Sequence, residues 1–263
     1  MADWAALITA IAALVSALAW PVVLLALVYL LRGHIGIAAK DLPGFIRRMR
    51  KVKIGAFEAE LDAKAETLVD EAIARPGELS SRQISTTAGI AVTAQGLSDE
   101  ALRRQLERLC IEFETIRKTM PSGYDRSRAM MSVLVRLRTL APAIEKFTGE
   151  LKRSGREGER LAAIAIMQVN PSLADIDWLV ERFRVDPPFL FFQAAAVLRS
   201  LLQADRATAD RAVAAAGTAL QILLAYPGEP DTNTRELLEA VATADTSTAT
   251  FSREARESLP PGS

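Results

Sequence analysis

The longest hydrophobic pattern in the chain has no period. From Ala5 to Leu31, 27 consecutive residues pass without a charged side chain. At about 1.5 Å of rise per residue the run would extend roughly 40 Å, enough to cross a hydrocarbon core of about 30 Å with some tilt. It predicts a transmembrane helix over 5–31, weakened or kinked at Pro21, with a short extracytoplasmic N-terminus over 1–4. A cleaved signal peptide fits less well. Met1-Ala2-Asp3-Trp4 has no Lys or Arg, the run is about twice a usual signal core, and basic residues follow it directly. Ala6, Ala10, Ala13 and Ala17 share one stripe that would let two such helices approach closely; the general abundance of alanine is the alternative explanation.

Residues 32–61 form a basic juxtamembrane segment. Between Lys51 and Leu61 apolar and polar residues alternate around Gly55-Ala56, which predicts either a small β-hairpin or a continuous amphipathic helix. Leu61, Ala65, Leu68, Val69 and Ala72 then recur as a narrow helical stripe. Residues 75–97, rich in Ser, Thr, Ala and Gly, offer no sustained apolar face and read as a flexible linker, so 62–97 is expected as a helix followed by linker.

From Ser98 the period becomes helical and stays so to about residue 245. Leu102, Leu106, Leu109, Cys110 and Phe113 mark one helix, and Met130, Met131, Leu134, Leu137, Leu140 and Ile144 a second, interrupted or bent at Pro142. Further helices are expected from about Ser154 to Met167, Leu173 to Phe183, Phe189 to Gln203, Ala207 to Ala225 and Thr234 to Ala244, before a disordered tail over 246–263. Short turns between them favour antiparallel neighbours, hence an all-α cytoplasmic domain over 98–245: a helical bundle or a short HEAT-like helical stack. The Ala- and Leu-rich helices over 189–202 and 207–224 are expected at its centre.

A formal charge of zero conceals a partition. Arg32, Lys40, Arg47, Arg48, Arg50, Lys51 and Lys53 face only Asp41, a collar of +6, and with Asp3 ahead of it residues 54–263 balance at −5. Lys and Arg are retained on the cytoplasmic side, so the collar predicts an N-out, C-in single-pass protein of the bacterial inner membrane, resting on anionic lipid headgroups. The acidic body argues against nucleic acid as a partner.

Chemistry-bearing residues are few. The lone Cys110 sits on an apolar stripe, as a small core residue does, and the lone His34 lies just past the apolar run. Asp175 and Asp177 at a helix start are explained by the helix dipole. In Ser154-Gly155-Arg156-Glu157-Gly158-Glu159-Arg160, backbone amides with Arg156 or Arg160 could receive a phosphate, but the Lys-Ser/Thr and preceding strand of a P-loop are missing. Tyr124, Arg126 and Arg128 form the other polar cluster, and with Arg156 and Arg160 they are the candidate surface for a partner or an anion. No catalytic, metal or cofactor residues are expected.

Ile116-Arg117-Lys118-Thr119-Met120-Pro121-Ser122-Gly123 and Gly158-Glu159-Arg160-Leu161-Ala162-Ala163-Ile164-Ala165, followed by Trp178-Leu179-Val180-Glu181-Arg182 and Pro188-Phe189, resemble an uncharacterised α-helical module of bacterial membrane-anchored or multidomain conflict and signalling proteins. The resemblance spans about residues 98–205. It implies an interaction or sensing role and brings no catalytic residue. The expectation is therefore a non-enzymatic, membrane-anchored adaptor with a protein partner and a stripe suited to homo-oligomer contacts through its anchor; the alternative is an effector whose anchors oligomerise and perturb the bilayer.

Overall fold

The helices start where side chains can hold their first amides. Ser80, Ser98, Asp175, Asp205 and Asp231 each accept from the backbone N–H three residues on, at 3.0, 3.3, 3.1, 3.0 and 3.2 Å. Caps of this kind contribute about 1 kcal/mol each. The computed structural model describes residues 55–227 and 231–245, and among them it is all helix and turn, without a strand.

Residues 55–74 are helical (α1). Then follow α2 (Ser81–Ala94), α3 (Asp99–Thr119), α4 (Tyr124–Ile144), the five-residue α5 (Thr148–Lys152), α6 (Glu157–Val169), α7 (Ile176–Val185), α8 (Pro188–Ser200), α9 (Arg206–Leu224) and α10 (Thr232–Ala242). All belong to one compact unit that begins at Ala56. The fold is a helical bundle in which α2, α4, α6, α8 and α10 each pack against the next, with α3 laid on α4 and α6, α7 on α8 and α9, and α9 on α10. Phe113 of α3 meets Phe189 of α8 at 5.7 Å between ring centres, and Glu78 in the α1–α2 loop pairs with Arg199 of α8 at 3.8 Å. These contacts tie the early and late helices together.

The expected stripes of α1, α3 and α4 are buried in one continuous core: Leu61, Ala65 and Leu68, then Leu102, Leu109 and Phe113, then Leu134, Leu137 and Ile144. Three expectations are corrected. The hairpin alternative fails over 55–61, where the chain is helical with Phe57 and Leu61 buried and Ala59 exposed; spacing by four has won over spacing by two. The linker over 75–97 contains α2, whose buried face is Gln83, Thr87, Ile90 and Ala94. α9 is not central: it buries one alanine-rich face while Leu224 is exposed, because alanine all round a helix leaves its solvent side nearly costless. The centre is α4, α6 and, as expected, α8, whose Leu190, Phe191 and Ala194 through Leu198 are buried.

Pro142 does not interrupt α4. The helix runs on to Ile144 and then tightens into one 3-10 turn, Glu145–Phe147; the proline has no amide to donate to the Arg138 carbonyl. No described helix is long and apolar enough to cross a membrane. The expected N-terminus over 1–4, the 5–31 span with its alanine stripe, the basic collar through Lys53, and the 246–263 tail lie outside the described residues.

Candidate functional site

Of the five residues expected to form one polar surface, three, Arg128, Arg156 and Arg160, are committed to holding the bundle together. Arg128 donates to Asp70 of α1, and that bond, then Tyr124, raises its pKa; Tyr124 itself is 66% exposed. Arg156 binds Glu114 of α3 at 3.2 Å and Glu159 at 3.0 Å. Burial alone would lower its pKa, but these carboxylates raise it. Arg160 donates to Asp186 at 2.8 Å, Arg182 reaches the other Asp186 oxygen at 3.1 Å, and the carboxylate between them is fully buried. Arg160 is thus an internal strut between α6 and the end of α7, not a surface residue.

The glycine-rich start of α6 holds no vacant anion site either. Gly158 N–H donates to Glu114 Oε1 at 3.4 Å and Arg156 N–H to Ser154 Oγ at 3.0 Å, so the protein supplies its own acceptors. Gly158 is there for a different reason: a Cβ on it would lie 2.5 Å from the Cys110 carbonyl oxygen, where α3 and α6 nearly touch. Asp175 caps α7 and pairs with Lys152. Partial burial would raise its pKa, but the Lys152 and Trp178 bonds hold it below the usual carboxylate range. Burial, reinforced by Glu159, pushes the Cys110 thiol well up, away from a reactive thiolate. Among the described residues no group of three or more His, Cys, Asp or Glu is placed to hold a metal.

Arg126 is the remaining candidate, and it opens onto a cleft of about 360 Å³. Its nearest acceptor is the Met120 carbonyl at 3.5 Å; its Nε is buried without an acceptor, and it pairs with no carboxylate among the described residues. Three helix starts meet at this cleft: Arg126 and Ser127 from the first turn of α4, Pro188 and Phe189 from α8, Asp231 and Asn233 from α10. The side facing them is apolar, with Met130, Met131 and Phe192. Arg117 also lines the cleft, but Glu157 neutralises it at 2.7 Å.

Sequence reasoning missed what stands behind the cleft. Arg138 of α4 is 1% exposed and faces no acid. Its Nε donates to Gln168 Oε1 at 2.7 Å and its Nη2 to Gln193 Oε1 at 3.3 Å, and Gln168 Nε2 donates to Gln193 Oε1 at 3.1 Å. A guanidinium cannot accept, so both amide oxygens must turn toward it. Nη1 is left without a partner, and burial draws the pKa of Arg138 down to about 10. The available signal was a set of polar residues inside otherwise apolar stretches, at 138, 168 and 193; only the fold brings them together. Comparisons of the chain with known protein families, with characterised proteins and with solved structures found no match in any of the three.

Proposed function

We propose that this chain is a membrane-anchored interaction and sensing protein of the bacterial inner membrane, with one N-terminal span and a cytoplasmic helical body that recognises rather than transforms its target. The observation that carries the reading is the uncharged run from Ala5 to Leu31 followed at once by seven basic residues against one acid. The body supports it with a cleft whose polar groups suit recognition: a free guanidinium, a buried amide, and a carboxylate already used as a helix cap. A protein partner is part of the reading, and its body-facing surface is separate from the span.

The test is crosslinking of the intact protein in cells, after membranes have been stripped with alkaline carbonate, alongside a form beginning at residue 55. Retention of the full chain in the stripped membranes, with one distinct partner captured by both forms, supports the reading. Release of the full chain into the carbonate supernatant would overturn the anchor. The stripe Ala6, Ala10, Ala13 and Ala17 favours a second reading, an effector driven by anchor oligomerisation. It predicts self-crosslinks that vanish on replacing Ala10 and Ala13 with Leu.

A further inference from the structure

A helix start is ordinarily furnished with an acceptor, because its first amides have no partner within the helix and its dipole is positive there. This protein follows that rule at α2, α3, α7, α9 and α10 through Ser80, Ser98, Asp175, Asp205 and Asp231, and at α6 through Glu114. Among the helices whose starts are described, and apart from the five-residue α5, it lacks a side-chain cap at α4, whose first turn carries Asp125, and at α8, whose first residue is Pro188. Gly123 precedes α4 at φ +153°, a conformation that excludes most capping side chains, and Pro187 precedes α8 with no group to offer. Both uncapped starts open onto the same cleft.

The side chains there point the same way. Arg126 has no counter-charge among the described residues. Gln193 lines the cleft while being only 1% exposed, and its oxygen is committed to Arg138 and Gln168, so its Nε2 hydrogens are the end left for the cleft. Behind it stands the positive charge of Arg138, with no acid in contact to offset it. Two helix ends without side-chain caps, one guanidinium without a counter-charge, one buried amide donor and a buried cation surround a space bounded by Met130, Met131, Phe189 and Phe192.

We propose that this cleft binds a small carboxylate with an apolar body: the carboxylate takes Arg126 and the Gln193 amide, and the apolar part lies against the two methionines and two phenylalanines. A planar monoanion matches one guanidinium in a two-point pair. A dianion matches less well, because Arg117 is already neutralised by Glu157 and Asp231 holds a negative charge on the opposite rim. The volume falls in the range of small-molecule sites. This gives the sensing reading its ligand class and rests on that reading for its purpose, but not for its chemistry.

The full chain is titrated in zwitterionic nanodiscs, or in buffer alone should it prove extractable without detergent, so that failure of the anchor and failure of the site are read separately. The probes are hexanoate and phenylacetate, their neutral amides hexanamide and phenylacetamide, and inorganic phosphate, followed by ligand-observed NMR and calorimetry. Both acids are expected to bind and both amides to bind at least about tenfold more weakly. Arg126→Gln should weaken the acids by about tenfold with its helical signal intact, Arg126→Lys should restore part of the loss, and Arg206→Gln on α9 should change nothing. Absence of binding by either acid, equal binding of acid and amide, unchanged affinity in Arg126→Gln, or tighter binding of phosphate than of the acids each overturns the proposal.

Discussion

Gly158→Ala is the smallest substitution that the packing of this protein forbids. Gly158 is the second residue of α6, and an added Cβ would sit 2.5 Å from the Cys110 carbonyl oxygen, 2.8 Å from its Cα and 2.9 Å from its carbonyl carbon. Ordinary contacts between such atoms lie at about 3.5 Å, so the two helices must separate by roughly 0.7–1 Å. All three obstructing atoms are backbone, and no rotamer change relieves them. Separation loosens a core to which α3 gives Leu109, Cys110 and Phe113 and α6 gives Leu161, Ala162 and Ala165, and it stretches Arg117–Glu157 and Arg156–Glu114. Overpacking of this kind costs about 1–3 kcal/mol, and the rigid obstacle places it at the upper end. Alanine's better helix propensity returns up to about 1 kcal/mol, less in a first turn. The expected net loss is about 2 kcal/mol, a fall in Tm of roughly 4–8 °C for a body of this size. Gly155→Ala is the control from the same segment. Its Cβ would meet nothing within 4 Å, so it should be neutral or gain about 0.5 kcal/mol through the unfolded state. Both are read by circular dichroism at 222 nm during thermal and urea unfolding. A Gly158→Ala midpoint equal to or above that of the parent would refute the reasoning.

Asp186→Ala leaves the buried Arg160 and Arg182 without their shared carboxylate and should cost about 3–5 kcal/mol in urea unfolding. Arg138→Met should act in the opposite direction. A pKa drawn down to about 10 means that the charged form in the core costs on the order of 3 kcal/mol, and orphaning Gln168 Oε1 takes back about 1–2 kcal/mol, so urea unfolding should show a gain of about 1 kcal/mol; a loss of that size sinks the argument. Cys110 gives a pH dependence. Its thiol is held protonated in the native state while the unfolded thiol ionises near pH 8.5, so the unfolded state binds fewer protons above that pH and stability falls as pH rises. The contribution reaches about 2 kcal/mol by pH 10, and Cys110→Ala should flatten the slope measured between pH 8 and 10.

Large apolar side chains at three- and four-residue spacing made α3 and α4 readable, and every stripe residue expected there is buried. The same criterion hid α2. Two of its four buried positions are Gln83 and Thr87, so a stripe spaced like any other looked polar, and only the Ser80 cap three residues ahead of Gln83 marked its start. It also misplaced α9, since alanine counts as apolar in a pattern but contributes little area whether covered or not. The five-residue α5 follows directly on a 3-10 turn and has too few residues to display a period at all. For the charged residues the pattern gave type without role. Arg126 and Arg160 look alike in sequence, and what separates them is Asp186, 26 residues beyond Arg160, for which Arg126 has no counterpart among the described residues.

The cleft illustrates the same limit from the other side, because each of its parts is legible and their meeting is not. That Gly123 and Pro187 cannot cap the helices they precede follows from their residue types alone. Arg138, Gln168 and Gln193 stand out as polar residues in apolar stretches. Nothing local says that helix starts near residues 124, 188 and 232 face one another, or that a glutamine on α8 turns its oxygen to an arginine on α4 and leaves its amide to the opening. Each of these features lowers stability: a few tenths to about 1 kcal/mol for a missing side-chain cap, and on the order of 3 kcal/mol for a buried guanidinium without an acid. Away from the cleft, the described starts of α2, α3, α7, α9 and α10 are capped and Arg160 and Arg182 are paired with Asp186, although Gln83, Thr87 and Gln105 also keep buried polar atoms without a partner. What sets the cleft apart is the kind of departure: two helix starts without a side-chain cap and cations without an acid are defects that a bound anion would relieve. That coincidence in space, more than any single residue, is why the cleft is the site to test.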